Sequence, residues 1–300
     1  MRVSSKQYYE GLTDQVTSNQ ARLAQLQAQT ASGVRVAQAS DDPSGTARAL
    51  SLQSTLSGLE QYERNGIVAK QSLSATESAL DQMTKTLTAM RTLVVQAGNG
   101  ALDDKSRQGL VTQIDGLSQA LVQSMNARDG DQALFAGTSE VKDPFALTSG
   151  GAAAFAYSGN DGEKVVQIGP ASRVATNVAG SALFATSETD VVTAMRTLKE
   201  QLSTQGTAVN TDAALKVTDA ASSQVLSVRS DVGYRLSNLE AQGLQLKVAK
   251  ENAQSTITSI TGADLAQSAV DLKTAETVYQ ASLAVSGRIS QQSLMDYLKQ

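Results

Sequence analysis

The chain of 300 residues contains no cysteine, no histidine and no tryptophan. Without cysteine there is no disulfide, no thiolate nucleophile and no thiolate metal site. Without histidine the commonest general base and the commonest metal ligand are missing. Proline occurs at only 3 positions and aromatics make up 4% of the chain. With 41% hydrophobic residues and few aromatics, a thick globular core is not expected. Abundant Ala, Gln, Ser and Thr suit long, thin helical packing, because small side chains let helices approach closely. A net charge of −4 argues against a phosphate-binding surface, which needs clustered Lys and Arg. No apolar run reaches the roughly 18 residues that a membrane span needs. Met1 to Gln7 have no apolar block after their charges, so no ordinary signal peptide is expected. The joint lack of Cys and His fits a chain that crosses compartments unfolded.

What is present is helical periodicity. Tyr9, Leu12, Val16, Asn19, Leu23, Leu26 and Thr30 recur every three or four residues near the start. Leu265, Ala269, Leu272, Ala275, Tyr279 and Leu283 do the same near the end. Each set lies along one side of a helix. Neither stripe is rich enough to close a core, so both helices need partners, first each other and then further copies. Gly33 stops the first helix. Asp42 and Pro43 restart a second, as N-cap and first helical residue, with Asp41 and Asp42 at the positive end of its dipole. Leu73, Thr76, Leu80, Met83, Leu87, Met90, Val94 and Ala97 form an unbroken coiled-coil seam. Gly98-Asn99-Gly100 ends that helix, and Asp103-Asp104 caps a third carrying Leu110, Ile114, Leu117, Leu121 and Met125.

All four Phe fall between residues 135 and 184, and glycine concentrates there. Phe155 and Tyr157, the turn residues Ser158 to Gly162, and Lys164 to Ile168 predict a β-hairpin. Helix resumes at Ser187-Glu188-Thr189-Asp190, which has capping-box spacing, with Val191, Met195, Leu198 and Leu202 following. A long helix is predicted from about Asp212 to Ile260, with Val225, Val228, Val232, Leu239, Gly243, Leu246, Ala253, Ile257 and Ile260 on its seam. Thr261 to Asp264 breaks and recaps the last helix. The expected fold is mainly α: a long antiparallel coiled-coil rod from both chain ends, with a small β-rich insert at mid-chain. Its parts are an N-terminal assembly helix and hinge (1–44), an arm (45–131), the insert (132–186), a second arm (187–260) and a C-terminal assembly helix (261–300).

Ala31-Ser32-Gly33-Val34-Arg35 and Ala39-Ser40-Asp41-Asp42-Pro43-Ser44-Gly45 resemble the N-terminal signature of the bacterial flagellin family. Ser230 to Glu240, Ile260 to Asp264, Ser286 to Ser290 and Leu294 to Leu298 resemble its C-terminal one. The likeness covers both arms. Ala133 to Thr138, Pro144-Phe145, Tyr157 to Gly162 and Val166 to Pro170 resemble the hook-associated members of that family more than its filament subunits. The resemblance implies an extracellular structural subunit of the bacterial flagellum, at the hook–filament junction. It implies contact with copies of itself, the first hook-associated protein and flagellin. It also implies type III export of the unfolded chain, with a cytoplasmic export chaperone on its C-terminal region. No cofactor, catalytic or metal site is expected.

The residues expected to carry assembly are Leu12, Val16, Leu23, Leu26, Gly33, Arg35, Asp41, Asp42, Leu265, Leu272, Tyr279 and Leu283. Asp41 and Asp42, read alone, are helix caps; the resemblance adds that their turn is a packing hinge between subunits. Arg35 has two readings of equal weight, a partner for such acids across a subunit contact or a solvated loop charge. A flagellin filament subunit is the nearest alternative. A chemoreceptor-like signalling coiled coil is a more distant one, disfavoured by the mid-chain β insert. Enzymatic function finds no convergent group without His and Cys.

Overall fold

A computed structural model describes residues 2–99, 102–147, 155–184, 190–204 and 209–298. It is mainly helical, with a small sheet-containing middle region, as the periodicity predicts. Two compact units emerge, residues 59–248 and residues 1–58 together with 249–300.

In the unit of residues 59–248, helix α2 (Pro43–Ala97) and helix α6 (Thr211–Thr261) run antiparallel. The ion pairs between them fix the register: Lys70–Glu240 at 2.8 Å, Arg229 to Glu77 at 2.7 Å and to Asp81 at 2.9 Å, and Arg91–Asp219 at 2.7 Å. Each is partly solvated and contributes under about 1 kcal/mol, so these pairs align the helices more than they hold them. Holding falls to the seam, where all eight predicted positions from Leu73 to Ala97 are buried. Its one polar member, Thr76, gives its hydroxyl proton to Ser72 O at 2.9 Å, so no donor is stranded. Across the pair, buried Thr218 does the same to Ala214 O at 2.6 Å.

Helix α3 (Asp104–Met125) packs on α5 (Val191–Ser203) and closes the core with Leu110, Ile114, Leu121 and Met125. Lys199 bridges to Asp115 at 2.7 Å. Asp103 caps α3 as expected, accepting from Ser106 N–H at 2.9 Å; the Ser106 hydroxyl and N–H hold its carboxyl below the usual range. The start of α5 differs from expectation. Its cap is Asp190 itself, which accepts from Thr193 N–H at 2.9 Å, so the helix begins three residues after the predicted cap Ser187. Ser187 to Thr189 lie outside the described residues.

The insert holds three two-stranded antiparallel sheets among the described residues: β1 (Arg128–Asp129) with β2 (Gln132–Ala133), β3 (Phe145–Leu147) with β4 (Phe155–Tyr157), and β5 (Val165–Gln167) with β6 (Arg173–Ala175). A short helix α4 (Ser181–Phe184) follows. The predicted strands exist, but the hairpin across Ser158 to Gly162 does not form. Tyr157 pairs instead with Phe145, their rings 4.9 Å apart, because that register buries the aromatic face. The would-be turn is fastened elsewhere: Asn160 Oδ1 accepts from Thr138 N–H at 2.8 Å and Gly162 N–H at 3.1 Å. The Tyr157 hydroxyl donates to Phe135 O at 3.0 Å and accepts from Gly180 N–H at 3.2 Å. Burial pushes its pKa up.

Candidate assembly surface

The unit formed by residues 1–58 and 249–300 is built from helix α1 (Arg2–Ser32), helix α7 (Leu265–Leu298) and the adjoining ends of α2 and α6. Helix α1 packs along α7. Leu12, Val16, Asn19, Leu23, Leu26 and Thr30 are all half-buried, while the residues between them, Gln29 excepted, stand in solvent. The stripe therefore exists as a stripe, but nowhere is it a core. Among the described residues of this unit, only Val36 and Ala253 are buried hydrophobics.

On α7 the inward line is Ser268, Leu272, Ala275, Tyr279, Ser282 and Ser286. Leu272 and Tyr279 fall where the spacing places them. Leu265 is 57% exposed, Leu283 is 46% exposed, and Ala269 is exposed too, so these three do not face α1. Apart from Leu272 and Tyr279, the larger apolar side chains are turned out and small residues turned in, because a narrow contact with α1 admits small residues at the helix seam. Val270, Val278 and Val285 are also exposed, at 60%, 48% and 50%. With Thr274 and Ala281 they form a second stripe at gaps of four, four, three and four. Its threonine and alanine make its periodicity a weaker signal than that of the line through Leu265, Leu272, Tyr279 and Leu283. Helix α1 offers no counterpart: over residues 10–31 its exposed positions are polar residues, alanine and glycine.

Between the helices, two chain breaks are tied into one clasp. Gly33 takes φ +69° after α1, a left-handed conformation that glycine adopts freely. Val34 and Gly262 then form an antiparallel bridge. Arg35 N–H donates to Thr261 O at 2.7 Å and Ala263 N–H donates to Gly33 O at 2.9 Å. The Arg35 guanidinium donates to Ile260 O at 2.9 Å and lies 3.7 Å from Asp42. It thus caps the carboxyl end of α6 and leans on the cap of α2, where the helix dipoles favour each charge. Arg35 thus has partners in its own chain, while 52% of its side chain stays exposed to solvent.

Asp41 Oδ2 accepts from Ala37 and Gln38 N–H at 3.1 and 3.0 Å, which folds the link back on itself. Asp42 Oδ1 accepts from Gly45 N–H at 2.8 Å and from Ser44 Oγ at 3.1 Å. The Gly45 bond, then Ser44, then Arg35 hold its carboxyl below the ordinary range. A side chain at Gly45 would strike the Asp42 carboxylate, which accounts for the Asp-Pro-Ser-Gly run. On the other side, Asp264 recaps α7 by accepting from Ala266 and Gln267 N–H at 3.0 and 3.1 Å. These bonds bring together Gly33, Arg35 and Asp42 with Thr261 and Gly262, two residues the sequence reading treated only as a break. Among the described residues no group of three or more acidic side chains could hold a metal ion.

Paired terminal helices with almost no core define a class, helical chains drawn from both termini around a central insert. Sequence models of the bacterial flagellin N-terminal helical region and C-terminal helical region match residues 3–140 and 215–298. The chain belongs to the bacterial flagellin family. It is 28% identical over 264 residues to flagellar hook-associated protein 3 of Salmonella typhimurium, spanning 80% of this chain and 81% of that one. It is 26% identical over 294 residues to a flagellin of Bacillus subtilis, spanning 93% of each. A solved structure from Vibrio parahaemolyticus, described as a flagellar hook-associated protein, superposes with a TM-score of 0.68 at 25% identity. That match covers 74% of this chain and 100% of the other.

Proposed function

We propose that this chain is the structural subunit joining the flagellar hook to the flagellin filament. Copies form a layer with the first hook-associated protein on one side and flagellin on the other. The observation that carries assembly is the near-absence of core in the terminal unit: helices of 31 and 34 residues share a half-buried stripe and little else. Such helices are marginal in water alone and gain stability when neighbours cover them. The junction reading, rather than a filament subunit, is supported by the likeness to hook-associated protein 3 of Salmonella typhimurium and to the Vibrio hook-associated structure, the whole of whose chain is matched. Export proceeds unfolded through the flagellar type III channel, with a cytoplasmic chaperone on the C-terminal region beforehand. The role is structural, with no catalytic step.

Cells lacking the gene are expected to build intact hooks and shed their filaments. A tagged protein is expected at the hook tip. Label spread along the filament would transfer the chain to the flagellin reading. Limited proteolysis of the free monomer should cut residues 1–30 and 265–300 before the central arms. Equal protection of both regions would remove assembly-coupled ordering.

A further inference from the structure

Beside the turn after β5, the α2/α6 pair is interrupted by a notch of about 470 Å³. Gly66 and Gly243 face each other across the seam there, in the register set by Lys70–Glu240. With no Cβ on either, the gap between the helices stays open, and a Cβ at either position would meet nothing within 4 Å. Leu239, Leu246 and buried Ile168 line the interior. Ile67 and Leu244 stand at the mouth, 64% and 68% exposed, beside the Lys70–Glu240 pair. An apolar floor under a charged lip suits a side chain with an apolar body and a polar tip.

The chain carries such a side chain. Tyr234 is 69% exposed, the most exposed large hydrophobic residue among those described. It sits nine residues before Gly243 on the same helix, which is about 13 Å along the axis and about half a turn around it. The knob therefore points away from α2 on the flank opposite the seam that holds the hole. A knob and a hole on opposite flanks of one element cannot satisfy each other within a molecule. They meet between copies, head to tail, and such contacts propagate into rings or helices. We infer that the notch takes the Tyr234 side chain of a second copy of this chain, the ring on Gly66 and Gly243 and the hydroxyl at the Lys70–Glu240 lip. This inference rests on the reading of the chain as a layer-forming subunit and names one lateral contact within the layer.

The absence of native cysteine makes the test clean. Full-length chain carrying both Asn238→Cys, one turn beyond Tyr234 on the same exposed face, and Leu244→Cys is expressed in place of the native protein, and isolated flagella are oxidised. The two positions lie about 9 Å apart along one helix, too far to bridge within a chain. A ladder of dimers, trimers and higher species is expected, with no species above dimer from either single variant. Flagella that contain the double variant but give no ladder, or cross-links only to another protein, overturn the inference. Independently, Tyr234→Ala should leave the melting of the free chain unchanged and lower filament retention about tenfold, the effect of losing one buried aromatic anchor. Full retention overturns the inference. Native chain absent from the hook tip would instead sink the junction reading.

Discussion

Replacing Leu87 by Ala tests whether the seam and the terminal stripes do different jobs. Leu87 is fully buried between α2 and α6, at 0% exposure. Truncating such a leucine removes its transfer energy and leaves a cavity, at a cost of about 3 kcal/mol within a usual range of 2–5. For a cooperative unit the size of residues 59–248, that lowers the melting temperature by about 6–12 °C. Leu283 provides the control. It is 46% exposed, so its truncation forfeits much less burial and should move the melt of the free chain by no more than about 2 °C. Its effect belongs to the assembled state, where Leu283→Ala is expected to weaken filament retention. The assay is thermal unfolding of the purified monomer by circular dichroism at 222 nm, followed by counts of attached filaments in complemented cells. Equal melting shifts for the two variants would refute the division between a self-sufficient seam and a dependent terminus. So would an unshifted melt for Leu87→Ala.

Gly137 has φ +71°, and a Cβ there would strike the Asn160 carbonyl; Gly137→Ala should cost about 2 kcal/mol or more and expose the insert to protease. Arg35→Ala should speed amide exchange at Thr261 to Ala263 without shifting the main melt, because the guanidinium joins loops and not core; unchanged exchange would show that the backbone bridge holds the clasp unaided. The carboxyls of Asp42, Asp81, Asp103 and Glu240 are all held below their ordinary range, by Gly45 N–H, Lys85, Ser106 and Lys70 in turn. A depressed carboxylate pKa contributes stability above the unfolded value and loses it as pH falls through the folded one. Melting should therefore stay level from pH 8 to about pH 5 and decline below about pH 4; a decline already at pH 6 would contradict the assignment.

The seam was legible because burial there depends only on helical phase. Eight positions at gaps of three and four lie along one side of α2, and that side enters the core shared with α3, α5 and α6. The caps were legible for a similar reason: Asp42, Asp103 and Asp264 act on N–H groups two to three residues away. Strand pairing was not, because it is decided by contacts far along the chain. Tyr157 prefers Phe145 to the strand its turn residues suggest, and no local signal encodes that choice. The cap of α5 was misplaced since Ser187 and Asp190 both have cap chemistry and only packing of Val191 and Val192 fixes the start. For α7, phase alone could not select which apolar line meets α1. Tyr279 and Leu272 are shared by more than one possible stripe, and the contact settles on the side rich in serine and alanine.

That choice bears on what the terminal helices are for. A helix that spent its larger side chains on α1 would make a stable pair and leave little to offer a neighbour. Helix α7 gives α1 Leu272 and Tyr279 but leaves Leu265, Val270, Val278, Leu283 and Val285 each at least 46% exposed. Helix α1 keeps its leucines for α7 and presents Asp14, Gln15, Ser18 and Arg22 to solvent. The pair is thus one-sided: α1 solubilises and braces, and α7 carries the apolar area. Covering that area releases about 25 cal/mol for each Å² buried, a gain available only with a neighbour in place. If the one-sidedness is functional, Val270→Ser should reduce filament retention more than Gln15→Ser, although both positions are exposed in the monomer. Equal effects would mean that the exposed valines are ordinary surface residues and that assembly draws on other faces of the chain.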